Sequence, residues 1–285
     1  MKKIISIIAM LCTTLSLTAC SGGETVSDSG RRQVYTSFYA MYDLTSEIAG
    51  DKADVYSMCP VGTEPHDYEP KTTDMAKLTE ADIFVYNGGG MESWAEKSSD
   101  TLKDVKTVCV SDHIEKLENS DPHSWLYPIN ALKAAEAIKN ALAECDPNNS
   151  AAYEVNYEGF KTKAEELDAK YRSMSAAAVK KDIVVAHEAY GYLCDAYGLN
   201  QIAVESVQGG EPSPTRMAEI ISYMRENNIG YICAEELASS KAVETIAAET
   251  GAETVTLNPF EGDTGGKGYF EVMNENLEVI EKILK

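Results

Sequence analysis

Tyr153, Tyr157, Phe160, Ala164, Leu167, Tyr171, Met174 and Ala178 recur at alternating steps of four and three. That period lays one apolar and aromatic stripe along a helix of about 30 residues, roughly 45 Å long at 1.5 Å per residue. Asp146-Pro147-Asn148-Asn149-Ser150, just before it, supplies turn and N-cap residue types. Such a helix is too long for a simple crossover inside one small sheet. It predicts a rigid spar joining two lobes, the alternative being an amphipathic helix packed on a single larger domain. On either side of it, short β-rich runs alternate with helical stretches, the pattern of an α/β fold with parallel sheets. Strands are expected at about 33–39, 54–59, 82–86 and 106–110, then at about 182–186, 201–205, 230–234 and 254–257. The predicted class is α/β: two Rossmann-like lobes with mostly parallel sheets, residues 31–147 and 182–285, joined by a linking helix over 148–181. A chain of 285 residues is long enough to bury a core in each.

The N-terminus stands outside this scheme. Lys2 and Lys3 precede a mostly apolar run from Ile4 to Leu17, the layout of a secretory signal, too short and interrupted for a permanent membrane span. The run ends in Leu17-Thr18-Ala19-Cys20 followed by Ser21, which resembles a bacterial lipobox, where the Cys is lipidated and becomes the first mature residue. Residues 1–19 are thus expected to be removed, and 20–30, rich in Ser, Gly and Asp, to form a tether from lipidated Cys20. The expected location is the outer face of the cytoplasmic membrane. Removal takes away two lysines and no acid, so the formal net charge moves from −21 to −23. That acidity leaves no cationic surplus to displace phosphate counterions and argues against a nucleic-acid partner. It is compatible with collecting cations. Beyond Cys12 and Cys20, the cysteines Cys59, Cys109, Cys145, Cys194 and Cys233 contain no C-x-x-C, and an odd number leaves one unpaired in a monomer.

Of the four histidines, three stand at or beyond the end of an expected strand. His66 lies in the Pro-flanked loop 60–70, His123 in Asp121-Pro122-His123-Ser124-Trp125-Leu126, and His187 directly after Ile183-Val184-Val185-Ala186. Ligands of open α/β sheets gather outside the carboxyl ends of the strands, so all three can face one crevice, two from the first lobe and one from the second. Neutral imidazole suits zinc, copper or nickel, and three His typically add one oxygen ligand or water. His113 reads as a solvated surface residue or a weak accessory metal contact. Glu235 and Glu236, at a strand end, read as solvated or hydrogen-bonding groups that can face the cleft. Gly88-Gly89-Gly90 is a turn, lacking both the G-x-G-x-x-G spacing and a P-loop. Ser213-Pro214 fits an N-cap followed by Pro at the first helical position.

Several motifs in order make the chain resemble the zinc- and manganese-binding solute receptors of bacterial ABC transporters from about Val34 to the C-terminus. They are Thr36-Ser37-Phe38-Tyr39, G-T-E-P-H-D-Y-E-P at 62–70, A-D-I-F-V-Y-N-G at 81–88 with Glu92 and Trp94, and D-P-H-S-W-L at 121–126. In the second half they are A-H-E-A-Y-G-Y-L at 186–193, Y-G-L at 197–199, E-P-S-P at 211–214, E-E-L-A-S-S-K at 235–241 and L-N-P-F-E at 257–261. The resemblance implies His66, His123, His187 and Glu261 as metal ligands. His at the third position looks like a zinc receptor, where manganese members usually carry Glu. Two departures stand out: Tyr127 replaces an Asp that often follows the second motif, and a long His-rich loop is reduced to Ser111–Ser120.

The function so implied is a monomeric, lipid-anchored receptor that captures Zn²⁺ in the inter-lobe cleft and delivers it to a separate permease and ATPase. Rival readings are a manganese receptor of the same family, a metal-dependent enzyme and a surface adhesin. No nucleophile motif accompanies the histidines, and four protein ligands leave no open position for hydrolysis, so an enzyme is not expected.

Overall fold

The computed structural model describes residues 30–117, 121–207, 209–235, 240–262 and 264–285. The expected leader, Cys20 with most of its tether, and Glu236 lie outside the described residues. The first sheet contains β1 (Arg32–Thr36), β2 (Ala53–Ser57), β3 (Ile83–Tyr86) and β4 (Lys106–Cys109), in the order β2-β1-β3-β4. Every pairing is parallel, with Val34 opposite both Val55 and Ile83. Helices α1 (Tyr39–Ala49), α2 (Thr72–Leu78) and α3 (Ser93–Lys97) connect these strands. The first strand is shorter than the expected 33–39. Ser37 N–H still donates to Val85 O, but Phe38 is the extended residue that caps α1, and the helix has begun at Tyr39.

Helices α4 (Pro128–Cys145) and α5 (Ser150–Ala177) follow. The seven stripe residues from Tyr153 to Met174 are all buried, whereas Ala178 is the extended residue after the helix rather than its last turn. Asp146 fixes the start of α5: its Oδ2 accepts from the Asn149 amide at 2.7 Å and from the Tyr153 hydroxyl at 2.9 Å. The second sheet contains β5 (Asp182–Val185), β6 (Asn200–Ala203), β7 (Tyr231–Ala234) and β8 (Glu253–Thr256), again parallel and in the same relative order, β6-β5-β7-β8. Its helices are α6 (Gly191–Tyr197), α7 (Pro214–Glu226), α8 (Ser240–Thr250) and α9 (Tyr269–Ile283). Ser213 caps α7 by accepting from Arg216 N–H at 3.1 Å, with Pro214 in the first turn, as the sequence predicts.

Parallel strands are covered on both faces, which is why runs such as Ile183-Val184-Val185 read as continuously apolar. Each sheet accordingly has an outer satellite core. One contains Tyr35, Leu78, Phe84, Trp94 and Leu102, the other Val184, Ile220, Met224, Ile232 and Ile246. The inner faces merge into one core through the α5 stripe, with α5 packed on α4, α1, α9 and α6. No helix among the described residues is long and apolar enough to cross a membrane. The five cysteines of the described residues are free, and Cys59, Cys194 and Cys233 are buried.

Candidate metal centre

In a sheet ordered 2-1-3-4 the connections reverse direction beside the first strand, and the crevice opens outside the carboxyl ends there. Two such crevices face each other in this molecule, and the loops leaving β2, β4, β5 and β8 carry His66, His123, His187 and Glu261.

Each side chain is set locally. His66 sits in a one-turn 3-10 helix, Pro65–Asp67, where Glu64 accepts the His66 backbone N–H at 3.3 Å. Asp121 Oδ1 accepts from the His123 backbone N–H at 2.9 Å and meets ring Nδ1 at 2.6 Å, which turns Nε2 toward the cleft. The loop behind His123 is tied down by the Asn87 amide, which donates to Pro122 O at 2.8 Å. His187 follows β5 directly, its Nδ1 3.4 Å from Glu235 Oε2 and its Nε2 3.3 Å from Val207 O. Glu261 comes after a strained bend: Phe260 is buried and left-handed, φ 60°, with its N–H held by Asn258 Oδ1 at 2.7 Å.

One donor atom from each of the four residues lies within 4.8 Å of the others. His66 Nε2 is 3.0 Å from His123 Nε2, and Glu261 Oε1 is 3.8 Å from His66 Nε2 and 2.9 Å from His123 Nε2. Zinc bonds of about 2.0–2.1 Å place the corners of a tetrahedron about 3.3 Å apart, so these separations suit that ion. His123 is fully buried, and the His66, His187 and Glu261 side chains are 6%, 6% and 4% exposed, so an ion here exchanges nearly all its water for protein donors.

The cluster is electrostatically tight. Burial disfavours charge on His123, but Asp121 and Glu261 outweigh it and push the imidazole up to about 9. His187 is raised for the same reason, burial being overcome by Glu235 and Glu261. Burial works against the Glu261 anion too, yet His123 and His66 hold its carboxyl well below the usual range. Glu235 moves the other way: burial and Glu261 raise it against the pull of His187.

The hydrogen-bonding reading of Glu235 therefore holds in this structure. Tyr127, where the family often has Asp, does not deprive His123 of a carboxylate, because Asp121 supplies it from two residues upstream. The Tyr127 hydroxyl instead accepts from Arg172 at 3.3 Å, and its ring meets Tyr197 edge-on. His113 is exposed at the end of a short 3-10 turn, Val110–His113, whose first two residues are buried, and it is not part of the cluster. Gly88, Gly89 and Gly90 all have positive φ, and Glu92 closes that turn by accepting from the Asn87 and Gly88 N–H groups at 2.9 Å. Three groups escaped sequence reasoning: Trp125, Gly191 and Asp121. Trp125 bridges two of the loops, with its Nε1–H donating to Pro259 O at 2.8 Å. Gly191, at the start of α6, lies so close to Asp121 that a Cβ there would overlap Oδ2. The Asp-x-His spacing was a readable signal for Asp121, whereas nothing in the sequence pairs residues 125 and 259.

A family profile described as "Zinc-uptake complex component A periplasmic" (ZnuA) matches residues 34–283. The chain is 36% identical over 308 residues to the zinc-binding lipoprotein AdcA of Streptococcus pneumoniae, a match covering 99% of this chain and 61% of that protein. The chain thus spans about three fifths of that relative's length. It is 34% identical over 313 residues to the high-affinity zinc uptake system protein ZnuA of Bacillus subtilis, covering 99% of this chain and 98% of that one. Among solved structures, the Zn(II)-bound ZnuA-like domain of S. pneumoniae AdcA superposes with a TM-score of 0.81 at 37% identity, covering 90% of this chain and 99% of that domain. The laminin binding protein Lmb of Streptococcus agalactiae, described as bifunctional with adhesin and metal transporting activity, superposes with a TM-score of 0.84 at 34% identity, covering 89% and 100%.

Proposed function

The chain belongs to the ZnuA family of periplasmic zinc-uptake components, and from that premise we propose that it is an extracytoplasmic receptor that binds Zn²⁺ for uptake through an ABC permease and its ATPase. The observation that carries this reading is the buried convergence of three imidazoles and one carboxylate from four loops. In it, His66, His123, His187 and Glu261 are the zinc ligands. Asp121 and Glu235 orient two of the rings and make them stronger donors. Four protein donors close a tetrahedron, which is the pattern of a holding site rather than of a catalytic one with an open position. Zinc is the cargo in preference to manganese, because imidazole is a borderline donor and manganese favours carboxylate and water.

The anchor is part of the same proposal. Two acyl chains on Cys20 suffice for stable attachment where one is marginal, so the receptor works as a tethered monomer on the outer face of the cytoplasmic membrane. Loss of palmitate labelling and of membrane fractionation in Cys20→Ala checks this; retention of both overturns it. Metal analysis of the purified protein, then competition titration after chelation, tests the cargo. One zinc per chain is expected, with manganese far weaker. Manganese as tight as zinc, or zinc unchanged in His187→Ala, refutes the reading. Adhesion is a second reading, favoured by the likeness to Lmb. Saturable laminin binding by the metal-free protein would support it, and no binding would remove it.

A further inference from the structure

Glu261 follows the last strand of the second lobe, yet its loop is held by the first. Trp125, 1% exposed, lies two residues after His123, with its ring edge-on to His123 at 5.3 Å and to Phe38 at 5.1 Å. Its indole N–H crosses to Pro259 O at 2.8 Å, and its own carbonyl accepts the Tyr269 hydroxyl at 2.8 Å. Between Pro259 and Glu261 stands Phe260, whose φ of 60° is unfavourable for a bulky L residue. Such a conformation persists only where its surroundings over-determine it. Here they are the Asn258 side chain on the Phe260 N–H and the Tyr39 and Tyr269 rings edge-on to Phe260, at 5.3 and 5.6 Å.

We propose that Trp125 is a positioning residue for the oxygen ligand: its N–H pins the Pro259 carbonyl so that the left-handed bend at Phe260 delivers Glu261 onto His123. Without that donor the buried carbonyl is left unpaired. Turning the 259–260 peptide plane and returning Phe260 to negative φ then relieves both penalties together, and it carries Glu261 away from the imidazoles. The inference rests on the reading of Glu261 as a zinc ligand, so its test separates the two.

The test is a double-mutant cycle on the chelator-stripped full chain, reading zinc affinity by competition. Glu261→Ala should weaken zinc. Trp125→Phe, which keeps an aromatic ring and removes the donor, should weaken it about tenfold alone but no more than about twofold in the Glu261→Ala background. Equal losses in both backgrounds would mean that the indole acts through His123 or general packing, and would overturn this inference while leaving the ligand assignment intact. No loss in Glu261→Ala would overturn the ligand assignment and the inference with it. A second variant covers poor packing of Phe: 3-benzothienylalanine at position 125 keeps the bicyclic shape and replaces N–H by sulfur. It should reproduce the tenfold loss, and wild-type affinity there overturns the proposal.

Discussion

Replacing Asp121 by Asn keeps the shape beside His123 and removes one charge, and the two consequences for zinc oppose each other. In the metal-free cluster His123 is pushed up to about 9, because Asp121 and Glu261 overcome the penalty of burial. At pH 7 the ring therefore carries a proton. Zinc takes the neutral ring, so the two pH units between 7 and 9 reduce apparent affinity about a hundredfold. The same carboxylate orients the imidazole and raises its basicity, which is worth about 10–100-fold in metal affinity. Asp121→Asn removes the second effect and, because Glu261 still raises the ring, part of the first. Near pH 7 they partly offset, so the variant should lose less affinity there than at high pH. Near pH 9 the wild-type ring is already half deprotonated, the relief disappears, and the variant should be weaker by about 10–100-fold. Calorimetric zinc titrations in buffers of different ionisation enthalpy count the protons released. Wild type should release about one from His123 at pH 7, with a further contribution from raised His187, and the variant measurably fewer. Equal proton release by the two proteins at pH 7, or an affinity ratio constant between pH 6.5 and pH 9, would refute the reasoning.

Metal-free stability should depend on the same ring. A His raised in the folded state contributes stability that is complete below its unfolded value near 6.5 and lost as pH rises through about 9, so the unfolding free energy should fall across that window by up to about 3 kcal/mol, with thermal midpoints falling in step and this dependence flattening once zinc is bound. Asp43 is pushed up to about 6 by burial and by Glu47, against the Tyr269 N–H and Lys163. Its folded form keeps a proton that the unfolded chain has lost from about pH 4 upward, so stability falls through that range. Asp43→Asn keeps an acceptor for the Tyr269 N–H and should gain about 1–3 kcal/mol in urea titrations at pH 7.5 and nothing at pH 4; no gain at pH 7.5 would contradict this. Gly191→Ala inserts a methyl group against Asp121 and should weaken zinc about tenfold by competition titration with every ligand intact; unchanged affinity would show that Asp121 yields freely.

What the sequence disclosed follows from range. The strands announced themselves through short apolar runs, because a parallel sheet buries both faces of each strand. The Tyr153–Met174 stripe gave α5 because one face of a long helix must be apolar to pack. Boundaries slipped where tertiary contacts decide them: Phe38 and Tyr39 have strand-forming side chains, but the chain turns into α1 there. The histidines were readable by their places after strand ends. Glu261 came only from the family likeness, since an acidic residue in an acidic chain carries no periodic signal. The Trp125–Pro259 bond spans 134 positions, and no local pattern encodes it.

The way Glu261 is held also bears on how this protein could be recombined. By chain position the residue belongs with the last strand of the second lobe, but its supports are Trp125, Tyr39 and, through Tyr269, Asp43. Helix α9 packs on α5 and α1 besides. A chimera cut at either end of the linking helix would import the oxygen donor and leave behind the groups that aim it. On the proposed ligand set, the unit that can be exchanged without losing a ligand runs from β5 to β8 and stops before Asn258. A graft of that stretch from a relative would replace His187 and Glu235 together and leave the other three donors on their native supports. Swapping the whole second half would not.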